Sequence, residues 1–183
     1  MNVSWVLSEN IASDAISLDT LTEIGPSWSP WTAWQEYKTD NTVCDDHVTA
    51  ARLVKRGFQI VSNLYLPQES FIKLNRPSNV RLYSGEFSDS AVSNKDDIIA
   101  LNLAAPTVDI ILMLGFDLAN CRYNDPLAEM LCEGYHTNIK SIIEENSEVQ
   151  FVLVNYENTL ADCFNDLQNL TQDTLKAVIS LLK

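Results

Sequence analysis

The stretch Val108-Asp-Ile-Ile-Leu-Met-Leu114 runs directly into Gly115-Phe116-Asp117-Leu118. Apolar residues fill the run almost without a break, and Val108, Ile110 and Ile111 are β-branched. A short run that is apolar on both faces predicts a strand covered on both sides, the usual state of a central strand in a parallel sheet. Gly115 permits a sharp exit from that strand, and Asp117 falls just past its carboxyl end. In open α/β sheets, ligands bind along that edge.

Working outward, strands and helices alternate. Val3–Leu7 is an opening strand, followed by an irregular segment over 8–42 that is punctuated by Gly25, Pro26 and Pro30. Pro30 suits the first turn of a helix carrying Trp31, Trp34 and Tyr37 at three-residue spacing. Both tryptophans are expected to be mostly buried, with stacking on a base or sugar, or a subunit contact, as the other uses of that stripe. A helix from Asp45-Asp46 to Arg56 carries acid in its first turn and base in its last, with Gly57 as its stop. Strands follow at Phe58–Leu66 and Asn79–Tyr83, and the second closes on Ser84-Gly85. Ser93 is placed to cap a helix that ends at Pro106 and leads into the central strand. A long helix over 127–145, a strand at Val149–Val154 and a closing helix capped near Thr171 complete the chain. The pattern predicts one α/β domain over residues 1–183, a Rossmann-like, mainly parallel sheet of about five strands with helices on both faces.

Composition narrows function by exclusion. With 46% apolar and 20% charged residues, the 183-residue chain can bury a full core. Its net charge of −13 argues against binding along a nucleic-acid backbone or on an anionic membrane surface. A docking face for a basic partner, or an oligomer contact, is compatible with that sign. No apolar run reaches the roughly 18 residues needed to span a bilayer. The first ten residues lack the basic and apolar regions of a secretory signal, so a cytoplasmic protein is expected. Cys44, Cys121, Cys132 and Cys163 form no CxxC pair. That spacing predicts four free thiols and argues against a structural zinc site.

Neither GxGxxG, GxxxxGKS nor GxSxG occurs, and five glycines are few for a dinucleotide cradle. Classical dehydrogenase and P-loop NTPase readings are therefore disfavoured, and the identity of any cofactor is unknown from the sequence. The candidate site is the set of polar residues at predicted strand ends, with Asp117 and Glu86 as catalytic candidates and Gly115, Ser84 and Asn155 as ligand-binding ones. Glu157 stands just beyond Asn155. Each has a plain structural alternative, since such residues also cap turns and helices. Cys44 and His47 share a polar cluster without an identifiable orienting group, which predicts a helix start and not a nucleophile. His136, on the long helix, is expected at the surface or half-buried.

Leu112-Met-Leu-Gly-Phe-Asp-Leu-Ala119 and Gly25-Pro26-Ser27 resemble turns in the Rossmann-like domain of motility-accessory-factor and 6-hydroxymethylpterin pyrophosphokinase-like proteins. In that family Gly-Pro-Ser directly follows an apolar first strand, whereas here it follows Leu18–Ile24. The chain as a whole resembles small proteins of marine tailed phages, a likeness that carries no activity and would set the protein in the host cytoplasm or the virion. The resemblance implies a transferase or hydrolase acting on a nucleotide or nucleotide-linked molecule at the carboxyl edge, with Asp117 holding a ribose, a metal or a leaving group. A non-enzymatic interaction or virion-associated protein is the alternative.

Overall fold

Both faces of the central run are covered, which explains its unbroken apolar character. The computed structural model describes residues 1–12, 15–75, 77–78, 80–83 and 95–182. In it the run forms β6 (Ile110–Leu114), flanked by β1 (Val3–Leu7) and β7 (Gln150–Val154). Ile111 and Met113 face one side, with Val6, Phe151 and Leu153, and Leu112 and Leu114 face the other, with Trp5, Leu7 and Val154. Burying each such side chain is worth roughly 1.5–3 kcal/mol, so this three-strand centre anchors the molecule.

The remaining strands are β2 (Ser27–Pro30), β3 (Asn41–Val43), β4 (Asn63–Pro67), β5 (Val80–Tyr83) and β8 (Leu170–Asp173). They join one sheet of eight strands in the order β5-β4-β3-β2-β1-β6-β7-β8, parallel at every pairing. The expected count of about five is therefore corrected upward. The three strands that sequence patterning misses, β2, β3 and β8, have three or four residues and little apolar content. In β2 and β3 every residue is buried, polar ones included, because their hydroxyls find partners in the residues just before β3 and β4. The Ser27 hydroxyl donates to Asp40 Oδ2 at 2.8 Å, Ser29 and Thr39 share a 2.6 Å hydroxyl pair, and Thr42 and Ser62 share one at 2.8 Å. Buried polar groups are stable once partnered, and such strands carry no hydropathy signal.

Seven helices lie among the described residues: α1 (Leu18–Ile24), α2 (Trp31–Tyr37), α3 (His47–Lys55), α4 (Gln68–Lys73), α5 (Lys95–Ala104), α6 (Pro126–Glu145) and α7 (Leu175–Leu182). Residues of α5 and α6 pack on one face of the sheet centre, and those of α1 and α7 on the other. Gly25 leads from α1 into β2 so close to β1 that a Cβ would stand 2.1 Å from the Val3 carbonyl oxygen. The expected strand at 58–66 begins later, at Asn63. Residues Phe58–Ile60 instead form a 3-10 turn after Gly57, whose φ of 73° breaks the preceding helix direction. The closing helix starts at Leu175 and not near Thr171, which lies in β8. Its cap is Thr174, whose hydroxyl accepts the Ala177 N–H at 3.2 Å. The proposed cap Ser93 lies outside the described residues.

Trp5 and Trp28 are the deeply buried tryptophans. Trp31 and Trp34 are only half-buried, contrary to expectation. They stack on each other at 6.1 Å, and the edge of Phe58 meets both, so α2 covers a smaller satellite core formed with α3 and β4. No helix among the described residues is long and apolar enough to cross a membrane.

The strand order reverses once. The chain steps from β1 outward to β5, returns through α5 to β6 on the other side of β1, and steps outward again to β8. The chain leaving β1 next runs to α1 on one face of the sheet, and the chain leaving β6 runs to α6 on the other. A reversal of this kind opens a crevice at the carboxyl ends of the two strands.

Candidate functional site at the carboxyl edge

At the end of β6, Gly115 adopts φ 83°, a conformation that L side chains rarely take. The loop after β1 crosses it closely. The Ser8 N–H donates to the Leu114 carbonyl at 2.9 Å, and a Cβ on Gly115 would stand 2.8 Å from the Cα of Ile11. Glycine is needed here on both counts, backbone angle and clearance. Beyond it, Gly115, Asp117, Asn155 and Glu157 line one cleft of about 430 Å³, together with Asn10 from the β1 loop. Of the five sequence-predicted site residues, three thus meet at one cleft. Ser84 and Glu86 lie outside the described residues.

Two of the three also do structural work. Asp117 Oδ1 accepts the Ala119 N–H at 3.2 Å, closing a local turn. Asn155, at φ 55°, accepts the Leu175 N–H on its side-chain oxygen at 2.8 Å and so fastens the start of α7. Tyr156 secures the cleft floor, its hydroxyl accepting the Leu118 N–H at 3.1 Å. Burial and the neighbouring Asp117 raise that hydroxyl to about 12, so it stays protonated.

A second group of acids, which patterning reads only as helix starts, sits along the same edge. Asp97, in the first turn of α5, is fully buried. The Ser8 hydroxyl donates to its Oδ2 at 2.5 Å and the Glu9 N–H to its Oδ1 at 2.9 Å. Burial outweighs both bonds and pushes the carboxyl up to about 8. The buried Tyr135 hydroxyl is held protonated chiefly by burial and then by the charges of Asp97 and Asp117. Next to Asp97, desolvation likewise lifts Asp96 to about 7 although it accepts the Asp45 N–H at 3.0 Å. Asp45 in turn accepts from the Tyr83 hydroxyl at 2.6 Å and pairs with Lys95 at 3.0 Å. The acid pairs 45–46 and 96–97 are visible in the sequence, but their convergence depends on the return of α5 across β1–β3.

The cysteines differ from expectation. Cys121 and Cys132 form a disulfide with Cα atoms 5.9 Å apart, leaving Cys44 and Cys163 as free thiols. Their separation of 11 residues conceals the contact, which arises because the loop after β6 folds back along α6. The same fold-back buries His136, expected at or near the surface, beneath the sheet edge. Its Nε2 lies 3.3 Å from the Asp117 carbonyl oxygen and its Nδ1 3.5 Å from Cys121 Sγ, while burial pushes the imidazole down, toward its neutral form. Beside it opens a second cleft of about 550 Å³, lined by Cys121, His136, Glu133, Lys140, Asp162 and Cys163 among others.

Cys44, by contrast, is inert. Burial, followed by the Asp96 and Asp46 charges, raises its thiol to about 12, far from thiolate chemistry at neutral pH. Asp46 caps α3 by accepting the Thr49 N–H at 2.7 Å, which makes Cys44–His47 the helix start that the sequence predicts. Among known proteins the chain matches no family model, no curated protein and no solved structure.

Proposed function

We propose that the protein binds a small molecule rich in hydroxyl or amino donors, of the nucleoside or nucleotide-linked class, in the cleft at the carboxyl edge of its sheet. The observation that carries this reading is that Gly115, Asp117 and Asn155, from two different strand ends, line one cleft with Asn10 from a third. The single reversal of strand order beside that cleft supports a doubly wound, Rossmann-like reading, in which ligands occupy the switch point. The carboxylates of Asp117 and Glu157 would accept hydrogen bonds from the adjacent hydroxyls of a ribose. The acids nearby disfavour bare phosphates, so a phosphorylated ligand would arrive with a divalent cation. Transfer or hydrolysis at a nucleotide-linked group is the reaction class this suggests, in keeping with the turn at 112–119 and its resemblance. A second reading, a non-enzymatic interaction protein, draws on Ile60 and Val61, adjacent apolar residues that are 80% and 66% exposed.

The test is a thermal-shift panel of nucleosides, nucleotides with and without Mg²⁺, and sugar nucleotides, run on wild-type and Asp117→Asn protein. Asparagine retains the acceptor for the Ala119 N–H, so the variant keeps its turn. A ligand at about 100 times its Kd adds roughly 2.7 kcal/mol to the native state. At least one compound is expected to shift the wild type and to shift the variant much less. No shift across the panel, or equal shifts in both proteins, refutes the cleft and leaves the interaction reading ahead.

A further inference from the structure

We propose that Cys121, Cys132 and His136, once the disulfide is reduced, form a site for a thiophilic divalent cation of the zinc class. The inference is independent of the ligand cleft. One ligand atom from each residue lies within 4.8 Å of the others. Cys132 and His136 stand four residues apart on α6 and so share a helix face, while Cys121 enters from the loop after β6.

The imidazole faces both sulfurs, with Cys121 Sγ 3.5 Å from Nδ1 and Cys132 Sγ 3.8 Å from Nε2, so Cys132 must turn toward Nδ1 once the disulfide opens. Its Nε2 faces the Asp117 carbonyl, which can only accept, so the ring proton belongs on Nε2. Nδ1 then presents a lone pair toward Cys121 Sγ, 3.5 Å away. A ring N–H held by a carbonyl is the arrangement that fixes the tautomer and direction of zinc-bound histidines. The Phe164 ring meets the imidazole edge-on at 5.2 Å and restricts its rotation.

Donor chemistry selects the ion. Two thiolates and a neutral imidazole balance a doubly charged cation, and sulfur ligands prefer zinc to magnesium or calcium. Three protein ligands leave one position open, and the 550 Å³ cleft that Cys121 and His136 line gives it access to water. A dithiol reductant supplies two electrons and two protons to the Cys121–Cys132 bond, yielding two thiols and the oxidised dithiol. The cation then displaces the two thiol protons to solvent. Disulfide and metal-bound states therefore exclude each other.

The experiment uses the whole chain, reduced with dithiothreitol, desalted under nitrogen and titrated with Co²⁺ as a spectroscopic probe. One equivalent is expected to produce thiolate-to-cobalt charge transfer and the visible bands of a tetrahedral ion, which Zn²⁺ then bleaches. The unreduced protein should give neither. Cys132→Ser, nearly isosteric, and His136→Ala should each weaken Co²⁺ binding more than about tenfold. Cys44→Ser should leave it unchanged, and circular dichroism checks that each variant is folded. The proposal is overturned if the native disulfide resists dithiothreitol, if the reduced protein shows no charge-transfer band, or if Cys132→Ser binds Co²⁺ as tightly as the wild type.

Discussion

Replacing Asp97 with asparagine should make the protein less sensitive to alkali. In the folded chain this carboxyl titrates at about 8, against about 4 in an unfolded one. Its folded value is raised, so the native state retains a proton that the unfolded chain has lost. The resulting stability is fully present below pH of about 4 and declines as pH rises to about 8. Four units at about 1.4 kcal/mol each give a loss on the order of 5 kcal/mol. Asparagine imitates the protonated acid. Its oxygen can accept the Glu9 N–H and its amide can donate to the Ser8 hydroxyl, the two groups that Asp97 engages. Urea unfolding at pH 5 and pH 9, in high salt to screen the general repulsion among surface acids, isolates the buried group. The wild type should lose several kcal/mol between the two pH values. Asp97→Asn should lose much less, retaining only the smaller slope of Asp96, and should be the more stable protein at pH 9. A wild type that is equally stable at both pH values, or a variant with the same slope, would refute the reasoning.

Other substitutions probe the frame around the cleft. Gly115→Ala places a side chain at positive φ and against the Ile11 backbone, so a loss of at least 1–2 kcal/mol, about the left-handed penalty alone, is expected in chemical unfolding. Trp5→Ala empties a fully buried site and should cost about 3–5 kcal/mol, whereas Trp31→Ala, at a half-buried site, should cost clearly less. Equal costs for the two tryptophans would contradict their packing. Thiol titration of denatured, unreduced protein should find two groups, Cys44 and Cys163, and finding four would remove the disulfide.

The sheet centre is legible in the sequence because hydrophobic burial on two faces leaves a direct mark, as Ile110–Leu114 and Gln150–Val154 show. The helix start at Asp46 is legible for a local reason, a short acceptor beside free backbone N–H groups. Ser27–Pro30 and Asn41–Val43 are not, since their burial depends on hydroxyl partners 10 to 20 residues away that no local pattern announces. The same limit applies to the sites. Asp117 and Asn155 are found from strand ends alone, because parallel strands carry their carboxyl ends to one edge. Asp97 and the Cys121–Cys132–His136 group meet their partners only through long-range placement, the first by the return of α5 and the second by the loop folded along α6.

These two kinds of residue are mechanically joined. Asp97 holds the Ser8 hydroxyl and the Glu9 N–H, and therefore fixes the direction in which the chain leaves β1. The next residues are Asn10, which lines the Asp117 cleft, and Ile11, which rests on Gly115. A protonated Asp97 lets this arm pack against the sheet without burying a charge. An ionised one retains the same bonds but adds a desolvated negative charge close to Glu9 and Asp96. Opening the arm to hydrate that charge would withdraw Asn10 from the cleft and uncover Gly115. Alkaline pH should thus loosen the cleft wall along with the fold. A ligand bound there would be released over the interval in which Asp97 ionises, even though Asp97 never touches it.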